Sequence, residues 1–342
     1  MASAFYTAQQ ATMLAALNNQ ELADVTFKIG REESEYHVNR AMLAFHSDVF
    51  KHMLFGQMRE SEPNADVIIN DMQPDTFECI LQYAYFQNPV ITASNILRVI
   101  KASDKYQITK LQQICHQLLR SHLNKNFLDL FYESLQLVIH EQLADIMESH
   151  FAANYETILD GKNFCRFFVE TDRRKLAKFL PHCQEFVAEA DAATIGQILD
   201  DPQFGSLSFN AIKLILQAPT LNAREEQIWN AVLKWTDTQV QSANVRQTDR
   251  DDDDIELSQD EQDGPDLDEP DEDGKEDEKQ EQEATPTGIA LDESGKSDIS
   301  KNRRMLLEKV KPLIRFRLMD PPYFAQYVEK EGILTTDEVL SV

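Results

Sequence analysis

Residues 24–50, DVTFKIGREESEYHVNRAMLAFHSDVF, change from one hydrophobic periodicity to another, and this change decides the fold. Apolar residues first alternate with polar ones at Val25, Phe27 and Ile29, which is the spacing of a strand with one buried face. Gly30 and the polar residues after it predict a turn, and residues 36–38 can return as the second strand of a hairpin. The stretch therefore predicts a β-hairpin that leads into helices.

Helices and one further strand are predicted for the rest of the first 120 or so residues. Apolar residues recur at helical spacing from Met42 to Met58, and Ser47 is placed to cap a helix. Residues 67–69 are a short apolar run typical of a third strand. Further helical segments are predicted at 74–84, 96–102 and 108–119. Beyond Asn124 every periodic segment is helical, so the expected fold class is α+β, with a small three-stranded sheet flanked by helices and then an all-helical part.

Acidic residues are concentrated in one stretch of the chain. The 342 residues carry a formal charge of −26, and residues 249–283 alone hold 20 acidic and 3 basic side chains. No aromatic residue occurs between Trp235 and Phe316. A segment of this composition buries too little apolar surface to offset the entropy of ordering it, so we expect residues 240–302 to form a disordered acidic insert within a domain. The insert is either a docking surface for a basic partner or a self-repelling, solvating loop.

Composition and spacing argue against several classes of protein. The negative charge disfavours a nucleic-acid binder. The first basic residue is Lys28 and no apolar run approaches the roughly 20 residues of a membrane helix, so neither a secretory signal nor a membrane partner is expected. The four cysteines stand far apart, and the eight histidines lack metal-ligand spacing. We therefore expect a cytoplasmic or nuclear protein without a metal or cofactor. Nucleophile-elbow and phosphate-loop motifs are absent as well, so we do not expect an enzyme.

Two groups of residues resemble known domains. The motifs DVTF at 24–27 and YHVNRAMLA at 36–44 resemble the opening of a BTB/POZ domain. Glu226, Trp229 and Trp235 resemble the central helix of a BACK domain, and residues 314–319 resemble its strand-like close. The resemblance implies the following organisation: a BTB/POZ domain at 5–122, a BACK domain in two parts at 123–239 and 303–330, the disordered insert at 240–302 between them, and a tail at 331–342.

The resemblance also implies a homodimer. BTB domains dimerise through a swapped N-terminal helix and the surface beneath it, and residues 5–17 are similar in place and character. The implied interface residues are Phe5, Met13, Leu14 and Leu17. An apolar helix face needs a partner face, and the alternative is that these side chains pack on their own subunit. Asp24 and Arg40 match the charged pocket of the family under the dimer surface, the alternative being a solvated pair that adds little stability.

Many BTB–BACK proteins bridge a substrate to a cullin scaffold, and in that class a hydrophobic-x-Glu motif follows the helix after the second strand. Met58-Arg59-Glu60 stands in the matching place, so the resemblance implies that Met58 and Glu60 bind cullin, with Phe55 adding apolar area. Methionine is an adaptable apolar side chain, and a carboxylate beside it can accept hydrogen bonds at a polar rim. The alternative is that Met58 plugs a helix end and Glu60 is solvated. The helix from Phe127 to Leu135 would add a second contact surface.

These features imply a substrate-recruiting adaptor of a cullin-RING E3 ubiquitin ligase that acts as a homodimer and holds an unknown protein substrate near the ligase. The alternative is a BTB–BACK dimerisation scaffold in transcriptional or cytoskeletal assemblies without ligase activity. No repeat of about 40 to 50 residues follows the BACK resemblance, so we expect the kelch-like type without the kelch propeller. Substrate recruitment would then fall to the BACK domain, the insert or the tail.

Overall fold

The computed structural model describes residues 12–13, 15–17, 19–62, 66–256 and 293–342, with backbone only for 243–256 and 293–299. Phe5 and Leu14 of the expected dimer interface lie outside the described residues, as do residues 257–292 of the expected insert. The chain packs into two compact units, Met1–Asn154 and Tyr155–Val342. The predicted fold class is confirmed, with a small three-stranded sheet flanked by helices in the first unit and helices afterwards.

A three-stranded sheet forms the centre of the first unit. Its strands are β1 (Val25–Ile29), β2 (Ser34–Val38) and β3 (Asp66–Ile69), in the order β2-β1-β3. β1 pairs antiparallel with β2, where Phe27 lies opposite Tyr36, and parallel with β3, where Phe27 lies opposite Val67. The hairpin turn begins at Gly30, whose φ of 76° is a left-handed conformation that glycine adopts without a Cβ clash. The predicted hairpin is therefore confirmed.

Helices pack against this sheet through a cluster of aromatic side chains. The helices of the first unit are α1 (Arg40–His46), α2 (Asp48–Phe55), α3 (Pro74–Ala84), α4 (Ile96–Lys105), α5 (Thr109–Gln136) and the first part of α6 (His140–Ile158). Phe27 of β1 is fully buried, and its ring centroid lies 6.0 Å from that of Phe50 in α2 and 5.1 Å from that of Phe77 in α3. Aromatic pairs at these distances add to the free energy gained from burial, so the cluster joins the sheet to both helices.

The stretch from Met42 to Met58, predicted to be helical, contains two helices. Ser47 stands between α1 and α2, and its Oγ accepts a hydrogen bond from the Phe50 N–H at 3.0 Å, which confirms the predicted cap. The same hydroxyl donates to the Tyr106 carbonyl at 2.5 Å and so ties the break to the end of α4. α2 ends at Phe55, before Met58. The predicted helical spacing therefore covers two helices, and the second of them starts after Ser47 as the predicted cap requires.

α5 continues through a kink at Asn126, where φ is −131° and ψ is 29°. The Asn126 side-chain amide donates to the His122 carbonyl at 3.3 Å, a local hydrogen bond that accompanies the bend. The kink lies close to the predicted domain boundary between residues 122 and 123, whereas the first compact unit continues to Asn154. The part of α5 after the kink, and α6 as far as Asn154, therefore pack with the first unit.

Within the described residues, the second unit has no strand. Its described α-helices longer than one turn are α7 (Phe164–Arg173), α8 (Leu180–Glu189), α9 (Ala192–Asp200), α10 (Phe209–Leu216), α11 (Glu225–Glu256), α12 (Glu293–Val310) and α13 (Thr336–Ser341). A single helical turn (Pro321–Tyr323) and a π-helix (Phe324–Val328) lie between α12 and α13. Trp229 and Trp235 of α11 are buried, and the Trp235 indole N–H donates to the Leu207 carbonyl at 2.8 Å. The Trp229 ring meets Phe316 edge-on, with centroids 5.5 Å apart. The tryptophan face of α11 is therefore part of the core of this unit.

Residues 314–319, expected as a strand-like close, contain the 3₁₀ turn Phe316–Leu318 in place of a strand. Ile314, Phe316 and Met319 are buried, whereas Leu318 is exposed. The expectation was wrong because apolar residues two positions apart fit a short one-sided turn as well as a strand.

Ion pairs hold the residues before and after the acidic insert together. α11 extends to Glu256 and α12 begins at Glu293, so both helices reach into the segment predicted as the insert. The Arg303 guanidinium of α12 pairs with Asp237 of α11 at 2.6 Å and also with Glu331. Arg315 Nε lies 2.5 Å from a carboxylate oxygen of Glu225, a residue only 4% exposed. The chain on both sides of the insert therefore belongs to one packed unit.

Candidate partner-binding surfaces

Residues 58–62, the Met58 turn, form an exposed turn after α2. Arg59–Ser61 is a single 3₁₀ turn, and Met58 precedes it in an extended conformation. The Met58 carbonyl accepts hydrogen bonds from the Ser61 N–H at 3.0 Å and the Ser61 hydroxyl at 2.6 Å. Met58 is 54% exposed, Phe55 is 59% exposed and Glu60 is half-buried. Met58 therefore does not plug the end of α2, and the segment presents apolar surface beside a carboxylate.

Gly56 allows the chain to leave α2 in this direction. Its N–H donates to the His52 carbonyl at 2.9 Å and closes the last turn of the helix. A Cβ on residue 56 would lie 2.2 Å from the same oxygen, far inside van der Waals contact. Any other residue would have to move the backbone, so this glycine sets the path from α2 to Met58.

Asp24 and Arg40, predicted to form a charged pocket, lie together but interact through the backbone. Asp24 Oδ1 accepts a hydrogen bond from the backbone N–H of Arg40 at 2.7 Å. The guanidinium, in a residue only 8% exposed, donates to four main-chain carbonyls. These are the carbonyls of Asp24 at 3.2 Å, Leu54 at 3.1 Å, Ser61 at 2.8 Å and Glu62 at 2.8 Å. The pair is therefore not a solvated one, and the Arg40 side chain holds the backbone on both sides of Met58.

An apolar groove opens on the first unit. It has a volume of about 740 Å³ and is lined by the end of α1, the end of α3 with the loop after it, and the start of α5. Phe45 in this groove is 78% exposed and Phe86 is 46% exposed, and Ile114 and Leu118 of α5 are also exposed. Contiguous apolar surface of this kind typically marks an interaction site in a folded protein. The groove is therefore a second candidate surface.

The groove contains strained backbone and a neutral histidine. Phe86 and Gln107 on its wall have φ values of 58° and 52°, which for residues with a Cβ costs on the order of 1 kcal/mol each. The His46 ring lies 5.0 Å from the rings of Phe45 and Tyr83 and 5.5 Å from that of Phe86. Burial lowers the pKa of His46, so its imidazole is neutral at neutral pH and the groove stays apolar around it.

The residues expected at the dimer interface are only partly described. Met13 is helical and 39% exposed, and Leu17 lies in a turn and is half-buried. Neither side chain is fully buried on its own subunit. Phe5 and Leu14 lie outside the described residues, so the interface itself stays a prediction.

The second contact surface expected between Phe127 and Leu135 is mostly core. Phe127, Phe131 and Leu135 are buried. The Phe127 ring stacks on Phe131 at 6.0 Å and on His150 of α6 at 5.8 Å. The apolar face of this helix therefore packs inside the first unit, because α6 follows it closely in sequence and covers it.

Reactive or metal-binding side chains do not converge in the part of the chain that the structure describes. All four cysteines are buried, and burial raises the pKa of Cys79 to about 11 and that of Cys115 to about 12, so these thiols stay protonated. No group of three or more His, Cys, Asp or Glu side chains among the described residues could hold a metal ion. None of the described helices combines the length and apolar character needed to cross a bilayer.

Sequence reasoning missed the groove and the role of Arg40 in holding the Met58 turn. The groove is built from segments around residues 45, 86 and 114, which no single motif connects. One signal was available: Phe45 follows the buried Leu43 by two positions, which places it on the opposite side of α1. For Arg40 no signal was available, because its partners are main-chain carbonyls and carbonyls carry no sequence information.

Comparison with known proteins agrees with this architecture. The BTB/POZ domain model matches residues 14–123, and the BACK (BTB And C-terminal Kelch) model matches residues 172–248. BTB/POZ domain-containing protein 6-A of Danio rerio is 24% identical over 234 residues, which cover 68% of this chain and 35% of the relative. BTB/POZ domain-containing protein 3 of Homo sapiens is 25% identical over 231 residues, 67% of this chain and 36% of the relative. The match thus spans about a third of the length of these curated relatives. The Met58 turn and the groove both lie within the BTB match, and the chain belongs to the BTB–BACK proteins, with a BTB/POZ domain followed by a BACK domain.

Proposed function

We propose that the protein is a substrate-recruiting adaptor of a cullin-RING E3 ubiquitin ligase and acts as a BTB-mediated homodimer. The observation that carries the proposal is the exposed Met58 turn, whose backbone is held by the buried Arg40. The adaptor does no chemistry and works by raising the local concentration of a protein substrate at the ligase. Its place of action is the cytoplasm or the nucleus, and its partners are cullin, a second copy of itself and the substrate.

The cullin contact rests on Phe55, Met58 and Glu60. Two large apolar side chains that are more than half exposed lie on either side of the bend at Gly56, and they gain free energy when a partner covers them. Complete burial of one such side chain contributes about 1.5–3 kcal/mol. The half-buried Glu60 can accept hydrogen bonds at the rim. Because the turn is already ordered, binding loses little conformational entropy there.

Self-association rests on the apolar groove. Its exposed side chains gain free energy when a partner face covers them, and we propose that the apolar helix expected at residues 5–17 of a second copy is that partner. A twofold dimer uses such a contact twice, so a modest groove yields a stable pair. Leu22, which is 60% exposed beyond that helix, adds further apolar area.

The adaptor proposal is tested by titrating the purified chain with the cullin of BTB-dependent ligases. We expect binding by the wild type and a loss of about tenfold or more in the Met58→Ala/Glu60→Ala variant. The matched control is Ile68→Ala/Glu32→Ala, because Ile68 is 55% exposed on β3 and Glu32 is an exposed acid of the same unit. If the wild type does not bind at micromolar concentration, the dimerisation scaffold without ligase activity replaces the adaptor. If the wild type and both variants bind equally, the assignment of the motif is wrong.

A further inference from the structure

The carbonyls bonded by Arg40 come from three separate segments. One precedes β1 at Asp24, one lies in the last turn of α2 at Leu54, and two lie in the Met58 turn at Ser61 and Glu62. A guanidinium has five N–H donors in a planar fork, so a single side chain can serve partners in different directions. Its burial at 8% exposure leaves little water to replace these bonds. Arg40 therefore fixes the three segments relative to one another.

The contact with α2 uses the electrostatics of a helix end. The last carbonyls of a helix have no intrahelical donor and carry partial negative charge. The His52 carbonyl is satisfied by the Gly56 N–H, and the Leu54 carbonyl receives the Arg40 Nη1 donor at 3.1 Å. A buried cation at this position stabilises the end of α2 from which the Met58 turn departs.

The Met58 turn is bonded at both of its sides. Within the turn, the Ser61 and Glu62 N–H groups donate to the carbonyls of Met58 and Arg59 at 3.0 and 3.1 Å. From outside, Arg40 Nη1 and Nη2 hold the Ser61 and Glu62 carbonyls, both at 2.8 Å. These hydrogen bonds hold the backbone of the turn in one conformation, while the exposed side chain of Met58 can contact a partner.

We propose that Arg40 is the positioning residue for the Met58 turn, and that it acts on cullin affinity by ordering this turn before cullin binds. The inference rests on the proposed function, because it assigns a source of affinity to the same site. Arg40 touches no partner itself. Lysine would carry the charge but would present its donors from one point, so it could not reach all four carbonyls.

The experiment compares Arg40→Met and Arg40→Lys with Arg31→Met, which removes the same charge from the exposed hairpin turn of the same unit. Amide hydrogen exchange of residues 56–62 is measured on the full chain, and cullin affinity is measured by titration. For Arg40→Met we expect faster exchange at Ser61 and Glu62 and about tenfold weaker cullin binding. Arg40→Lys should lie between Arg40→Met and the wild type, and Arg31→Met should behave as the wild type.

A double-mutant cycle separates positioning from general destabilisation. If Arg40 acts only through the turn, Arg40→Met should add little loss of affinity once Met58→Ala is present. A full additive loss in that background overturns the inference, and so does unchanged exchange at residues 56–62. Where Arg40→Met does not fold, Arg40→Lys carries the same comparison. If the wild type fails to bind cullin, the proposed function fails, whereas the exchange data still decide whether Arg40 orders the turn.

Discussion

Replacing Phe45 by alanine should separate self-association from folding. Phe45 is 78% exposed in the groove, so the isolated subunit gains almost nothing from this ring. Covering a phenylalanine side chain in an interface contributes about 1.5–3 kcal/mol. A twofold dimer contains the contact twice, so the variant should lose about 3–6 kcal/mol of dimer stability, a factor of about one hundred or more in the dissociation constant.

Sedimentation equilibrium over a range of loading concentrations measures this constant, and thermal unfolding of the variant at low concentration checks that the subunit is intact. The matched control is Phe55→Ala, because Phe55 is 59% exposed at the end of α2 and belongs to the other surface. We expect Phe55→Ala to dimerise as the wild type does and to bind cullin less tightly. A Phe45→Ala dimer as strong as the wild-type dimer would refute the assignment of the groove.

Three further predictions address the turn, the insert and the pH response. Gly56→Ala should weaken cullin binding several-fold in the titration, because its Cβ would lie 2.2 Å from the His52 carbonyl and must displace the turn. Replacing residues 257–292 by a short Gly-Ser linker should leave the melting temperature within about 2 °C, because Arg303 and Asp237 still pair across the junction. Burial lowers the pKa of His116 and His150, so below the usual histidine pKa of about 6.5 the unfolded chain binds more protons than the folded chain. The free energy of unfolding, measured by urea titration, should therefore fall as the pH is lowered from about 7.5 to about 5.5. The fall should be smaller in the His116→Gln/His150→Gln variant.

The sheet could be predicted because its signal is local. Val25, Phe27 and Ile29 alternate within five residues, and a strand with one buried face leaves this pattern whatever it packs against. Ser47 was predictable as a cap for the same reason, since a serine hydroxyl reaches the N–H three residues later in the same helix. Features that are determined within a single turn or strand can therefore be predicted from the sequence.

Features that depend on distant partners could not be predicted in this way. The bond from Ser47 to the Tyr106 carbonyl joins residues 59 positions apart, and nothing in the local pattern around Ser47 indicates it. Phe127 and Phe131 are buried in the core by α6, so the apolar face that was expected to bind a partner is already covered. The resemblance supplied the Met58 motif, but the exposure of Met58 and the bond from Arg40 to its turn are evident only in the folded structure.

Helix α1 links the two candidate surfaces, and this determines which variants can distinguish them. It is seven residues long, about 10 Å, with Arg40 at its first position and His46 at its last. Arg40 bonds the Met58 turn, whereas His46 and Phe45 line the groove. A change at the buried Leu43 in its middle would shift both ends together and could not be assigned to either surface. Exposed side chains at the two surfaces, Phe45 in the groove and Met58 in the turn, are therefore the positions at which loss of dimer and loss of cullin binding can occur separately.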